Sequence, residues 1–165
     1  MVERWVWAGV LVACVAVGPV ALAMAADGRV SGLPVPRFVS IGVEVANMRV
    51  GPRQSYDVVA VYRRRGLPLK VVDEFDNWRE VEDHEGDRGW MHGRLLSGRR
   101  TVMVYPEAMI LRRGASDEAP AILLAEPTVI ADLLRCEAKW CFVEIDGRRG
   151  WMPEESLWGI LPSAE

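Results

Sequence analysis

Histidine and cysteine are scarce in this chain, with two and three among 165 residues. Cys136 and Cys141 have four residues between them, not the two of a zinc knuckle, and His84 and His92 lie well upstream of both. A zinc site is therefore not expected. An excess of positive charge is also lacking, since 20 Lys and Arg stand against 23 Asp and Glu, for a net charge of −3. Nucleic acid needs a concentrated basic face, so it is not an expected partner. The short run Arg63-Arg64-Arg65 reads as a solvated turn before Gly66. No serine or cysteine is framed by a nucleophile motif such as Gly-x-Ser-x-Gly. Pairing Cys141 with His84 or His92 would need a free thiol, and thiols of exported chains are usually oxidised. No catalytic residue, cofactor or metal is assigned, and the chain is not expected to be an enzyme. The acidic stretch of Asp83, Glu85 and Asp87 is too short for a calcium loop and reads as a solubilising tip, with His84 a solvated residue of the same turn.

There is one long uncharged run. Trp5 to Ala26 carries no charge, is rich in Val, Ala and Leu, and closes with "ALAMAAD". Residues 1–26 are read as a secretory signal peptide, with the small residues Ala23 and Ala25 set for cleavage. The run is also long enough to span a bilayer as an uncleaved anchor, and "LVAC", Leu11 to Cys14, is similar to a lipoprotein acylation site. Contact with a membrane is expected only through such an uncleaved or lipidated N-terminus. Outside this run, helical periodicity is nearly absent. Short Val, Ile and Leu runs such as "RFVSIGVEV", "DVVAVY" and "RRTVMVY" are broken by Gly, Pro and Asp, the pattern of small all-β barrels or sandwiches.

The segment "WREVEDHEGDRGWMHGRLLSG", from Trp78, returns as "WCFVEIDGRRGWMPEESLWG", from Trp140. With His84 skipped, ten of twenty paired positions are identical. A repeat of about 60 residues marks tandem units. The expected organisation is an irregular leader over 27–36, repeat one over 37–102, repeat two over 103–161 and a tail over 162–165.

Side chains alternate faces along a strand. In "WCFVEI", Cys141, Val143 and Ile145 share the interior face, which leaves Trp140 outside; Trp78 stands opposite Val81 in the same way. In "GWM" the methionine fills the core and Trp90 or Trp151 faces out. Each repeat is thus expected to present two outward tryptophans, Trp78 with Trp90 and Trp140 with Trp151, next to His92 and Pro153 respectively. The glycine before the second Trp is expected to permit the turn out of the hairpin. Cys136 and Cys141 fall opposite each other across a short hairpin and are expected to form a disulfide. Their counterparts, Glu74 and Arg79, suit an exposed cross-strand ion pair.

"ANMRVGPRQSYDVVAVYRRRGLPLKVVDEFDNWREV", completed by the Gly-Trp-Met step, resembles the bacterial SH3-like domain, often found in tandem in exported envelope proteins. The residues that carry the resemblance are Asn47, Arg49, Gly51, Pro52, Tyr56 and Gly66. Repeat two keeps Arg112 and Gly114 of this opening and lacks the Asn and Pro. Its close, "GWMPEESL", resembles the end of eukaryotic SH3 domains, where the aromatic and the proline line a peptide groove. The resemblance implies two SH3-like barrels, groove candidates Trp78, Trp90, His92, Trp140, Trp151 and Pro153, and first-loop candidates Asn47, Arg49 and Tyr56. It also implies the periplasm or the extracellular side of the envelope.

The expected function is a non-catalytic envelope module that recognises a peptide, peptidoglycan or a partner protein through aromatic grooves. The alternative is a structural or accessory protein whose tryptophans pack the two repeats or a partner subunit. A cell-wall-associated enzyme comes third, because related domains are often joined to cysteine peptidases that cut the wall with a separate catalytic domain.

Overall fold

The structure, a computed structural model, describes residues 26–27 and 30–161. Apart from Ala26, the segment read as a signal peptide, Cys14 included, lies outside the described residues, as does the tail 162–165. A short antiparallel ribbon pairs β1 (Ala26–Asp27) with β2 (Pro34–Val35). The first barrel contains β3 (Arg37–Ile41), β4 (Ala46–Arg49), β5 (Val58–Tyr62), β6 (Pro68–Phe75), β7 (Trp78–Glu82), β8 (Arg88–His92) and β9 (Leu96–Ser97). The second contains β10 (Thr101–Val104), β11 (Met109–Arg112), β12 (Ala121–Ala125), β13 (Ile130–Glu137), β14 (Trp140–Ile145), β15 (Arg148–Pro153) and β16 (Leu157–Trp158). A single 3-10 turn, Gly93–Leu95 or Glu154–Ser156, precedes the last strand of each.

Strand order is β5-β4-β8-β7-β6-β3-β9 in the first sheet and β12-β11-β15-β14-β13-β10-β16 in the second, the same order strand for strand. The all-β expectation of two tandem barrels holds. Alternation places side chains as expected: Val81, Met91, Cys141, Val143, Ile145 and Met152 are buried, and the four tryptophans stand half-buried on the outer faces. The glycine before the second Trp has a different role from the expected one. Gly89 lies within β8 opposite Val81, and a Cβ there would meet the Arg49 carbonyl oxygen at 2.8 Å and Met48 Cγ at 2.6 Å. A Cβ at Gly150 would likewise meet the Arg112 carbonyl oxygen, at 2.5 Å. These glycines let β8 and β15 close against β4 and β11; they do not make the turn.

The chain changes sheet between Ser97 and Thr101, a little ahead of the division expected from the repeats. β10 is a wall common to both cores. Val102 and Val104 point into the second barrel, while Met103, from the opposite face of the same strand, is fully buried in the first. Tyr105, Ile130 and Trp158 pack against that first core as well. The Trp158 ring meets Phe38 edge-on at 5.2 Å, and its indole N–H donates to the Pro68 carbonyl at 3.2 Å. Thr101 Oγ1 donates to the Gly66 carbonyl and Ser40 Oγ to the Arg99 carbonyl, both at 2.7 Å. The tryptophan that joins the barrels is therefore Trp158, which was not among the candidates.

The β6–β7 and β13–β14 hairpins close with different chemistry at one shared position. In the second barrel Cys136 and Cys141 are directly paired and joined by a disulfide, with a tight turn at Ala138 and Lys139. In the first barrel Glu74 and Arg79 occupy these places and form the cross-strand ion pair, at 3.2 Å. The pair is not exposed, because the Glu74 side chain is fully buried. Ser31 of the leader and Arg37 of β3 cover it: Ser31 donates from its N–H at 2.9 Å and its hydroxyl at 2.7 Å, and Arg37 Nη2 donates at 2.6 Å. Burial by itself raises the carboxyl pKa; the Ser31 and Arg37 hydrogen bonds and the Arg79 charge outweigh it and hold the group at about 2.

Candidate functional site

In the first barrel the end of β8 and the start of β7 lie side by side, so that Trp78 stands directly opposite His92. Their rings meet edge-on at 5.3 Å. His92 is fixed by its own turn, because its Nδ1 accepts from the Arg94 N–H at 3.2 Å. Accepting there leaves the ring proton on Nε2. Trp78 and His92 form one wall of an open cleft of about 180 Å³. Asn47 and Arg49 of the adjacent β4 also line it, with Val45, Gln54, Arg94 and Leu95. The cleft thus brings together four of the expected residues, two from the aromatic set and two from the first loop.

Arg49 has an internal task. Its Nη1 donates to the Tyr56 carbonyl at 2.6 Å, closing the loop between β4 and β5. Arg112 does the same in the second barrel, donating to the Ala119 carbonyl at 2.9 Å. The loops are equally long, and their backbone bonds correspond, Val50 N–H to Asp57 O and Arg113 N–H to Pro120 O. Repeat two therefore keeps the loop geometry although its Asn and Pro are missing. Tyr56 lies outside the cleft lining, with its ring packed on Gly51, where a Cβ would meet it at 2.8 Å. Trp90 is farther along the same outer face, opposite Glu80.

On the corresponding face of the second barrel, the second tryptophan of the repeat is covered by its own neighbours. Trp140 stands opposite Pro153, and Trp151 opposite Phe142, whose ring lies 5.1 Å away. The Arg135 guanidinium sits over both rings, 4.5 Å from Phe142 and 4.9 Å from Trp151. In the first barrel the matching positions hold Asp73 and Glu80, which offer no such cation and no second ring. The expected equivalence of the two grooves therefore does not extend to their surroundings.

The acidic hairpin is a built turn. Asp83 is buried, accepts the Tyr62 hydroxyl at 2.7 Å, and accepts the Glu85 and Asp87 N–H groups at 3.0 Å each. Its carboxylate, with those of Glu85 and Asp87, falls within a 4.8 Å cluster, but both its oxygens serve these bonds. Burial, and then the Asp83 hydrogen bond and charge, push the Tyr62 hydroxyl well above the usual tyrosine range. His84, the residue by which repeat one is longer, is not a solvated turn residue. It is half-buried, with its ring edge-on to Tyr105 of the second barrel at 5.2 Å.

Sequence reasoning missed Val45, Gln54, Arg94 and Leu95. Arg94 had a signal, since it follows the Gly-Trp-Met step by three residues, in the turn that His92 caps.

A family model of the bacterial SH3 domain matches residues 42–98 and, a second time, residues 106–159. No curated protein matches the chain. Among solved structures it is similar to an NlpC/P60 family protein from Bacillus cereus ATCC 10987, with 16% identity, 73% of this chain and 55% of that one covered, and a TM-score of 0.33. It is also similar to NlpC2 from Trichomonas vaginalis, with 10% identity, 74% and 48% covered, and a TM-score of 0.35. The chain spans about half the length of each.

Proposed function

Because the chain belongs to the bacterial SH3 domain family, with the domain present twice, we propose that it is a non-catalytic binding protein of the cell envelope. Its first barrel recognises a peptide, in the wall or on an envelope partner, through the Trp78–His92 cleft. The observation that carries this reading is the difference between the two outer faces. The Trp78–His92 cleft is open and Trp90 beyond it stands opposite Glu80, whereas Trp151, the counterpart of Trp90, is covered by Phe142 and Arg135. An uncovered aromatic beside hydrogen-bonding groups is the usual form of a peptide site. The second barrel acts as a scaffold, fused to the first through Trp158 and Met103. The Cys136–Cys141 disulfide supports an oxidising compartment and commits both cysteines of the described residues. Export rests on that bond together with the charge-free run at the N-terminus.

The test is retention on purified sacculi. Wild type and Trp151→Ala should be retained, and Trp78→Ala should lose retention while its melting temperature stays near that of wild type. Unchanged retention of Trp78→Ala would overturn the assignment of the cleft.

A further inference from the structure

The two barrels repeat one backbone but not one set of charges. Corresponding positions are fixed by the paired bonds Arg49 to Tyr56 O and Arg112 to Ala119 O, and by Trp78 opposite His92 and Trp140 opposite Pro153. On that correspondence Arg94 stands where the second barrel has Glu155, Gln54 where it has Asp117, and Asn47 where it has Ile110. The first cleft is lined by two arginines and no carboxylate. The matching positions of the second barrel hold one arginine and two carboxylates.

We propose that the first cleft is a carboxylate receptor, which binds the C-terminal or side-chain carboxylate of a peptide and seats the adjoining apolar group on Trp78. The proposal rests on the peptide-binding reading above and names its ligand class. Arg49 is held by the Tyr56 carbonyl, so its charge is fixed in place before a ligand arrives. The Arg94 guanidinium makes no hydrogen bond or ion pair among the described residues, and so can offer a two-pronged contact to a carboxylate. Its position is set from the backbone, through the Arg94 N–H to His92 Nδ1 bond. That same bond leaves His92 Nε2–H as a donor. Glu80 and Glu82, carboxylates of the same outer face, stand opposite Trp90 and Arg88 and lie outside the cleft lining. A cationic ligand would meet two arginines at close range, with no acid in the cleft to offset them.

The experiment titrates the purified protein with three capped probes while amide and indole shifts are followed by NMR. Acetyl-Ala-Ala with a free carboxylate presents a chain end, acetyl-Ala-Glu-amide presents a side chain, and acetyl-Ala-Ala-amide presents neither. At least one carboxylate probe should bind about tenfold more tightly than the amide, with shifts at Trp78 and His92. The more tightly bound of the two carboxylate probes identifies the source. Arg94→Gln should remove the preference, Arg94→Lys should keep part of it, and Glu155→Gln should leave it unchanged. Equal binding of all three probes would overturn the carboxylate assignment and leave the peptide reading standing. Retention on sacculi that depends on Trp78, with none of the probes bound, would also overturn it. Loss of both retention and probe binding would overturn the two together.

Discussion

At the scale of single residues, the most consequential side chain outside the cleft is Glu74. It accepts from the leader at Ser31 and from Arg37, and pairs with Arg79, so one buried carboxylate ties the leader to two strands. Its pKa is lowered from 4.5 to about 2, which is worth on the order of 3 kcal/mol. The sign follows from the direction of that shift. A depressed carboxyl pKa stabilises fully above the unfolded value of 4.5, and this contribution is lost as the pH falls toward 2. Glu74→Gln should therefore lower stability at pH 7 by about that amount. The gap between variant and wild type should close as the pH falls through that window. Urea midpoints at pH 7 and pH 3 check both statements, and an equal gap at the two values would refute the linkage.

At the scale of elements, the β13–β14 hairpin is where local preference is least met. Its two turn residues, Ala138 and Lys139, take φ of 46° and 68°, the left-handed region that type I′ turns require and that alanine disfavours. The neighbouring Cys136–Cys141 bond holds the turn closed from outside it. Ala138→Asn should raise stability by about 0.5–1 kcal/mol, because asparagine accepts this backbone with less strain. The denaturation midpoint should rise with the disulfide intact, and it should rise at least as much after reduction, when the turn alone sets the register. A fall in either condition would contradict the assignment of strain to this position. In the first barrel the same hairpin is held by Glu74 and Arg79, so two unlike chemistries maintain one geometry.

At the scale of the whole molecule, the two barrels behave as one body because β10 divides its faces between two cores. Met103 enters the first while Val102 and Val104 enter the second, and Trp158 returns from the end of the chain to Phe38 and Pro68. Trp158→Ala should cost about 3–5 kcal/mol. The single calorimetric transition expected of wild type should split in two, with the first barrel melting at the lower temperature. Trp158→Phe should keep one transition at a slightly reduced temperature, since it retains the edge-on contact and loses only the bond to Pro68. One transition in both variants would mean that the junction is held elsewhere.

The sequence by itself determined the all-β class, the twofold repeat, the faces of the strands and the pairing of Cys136 with Cys141. These are consequences of a period of two along each strand and of short hairpins, and such information lies within a few residues. It also brought Asn47, Arg49, Trp78 and His92 into view, because each belongs to a recurrent local pattern. Only the tertiary structure decided which of these share a cleft, since the curl of the sheet brings β4 beside β8. It likewise decided that Arg135 covers Trp151, that Glu74 is buried, that Gly89 and Gly150 serve close approach, and that Trp158 joins the barrels. Each of these depends on residues far apart in the chain meeting in three dimensions, and the alternation of a strand states which way a side chain points but not what waits there.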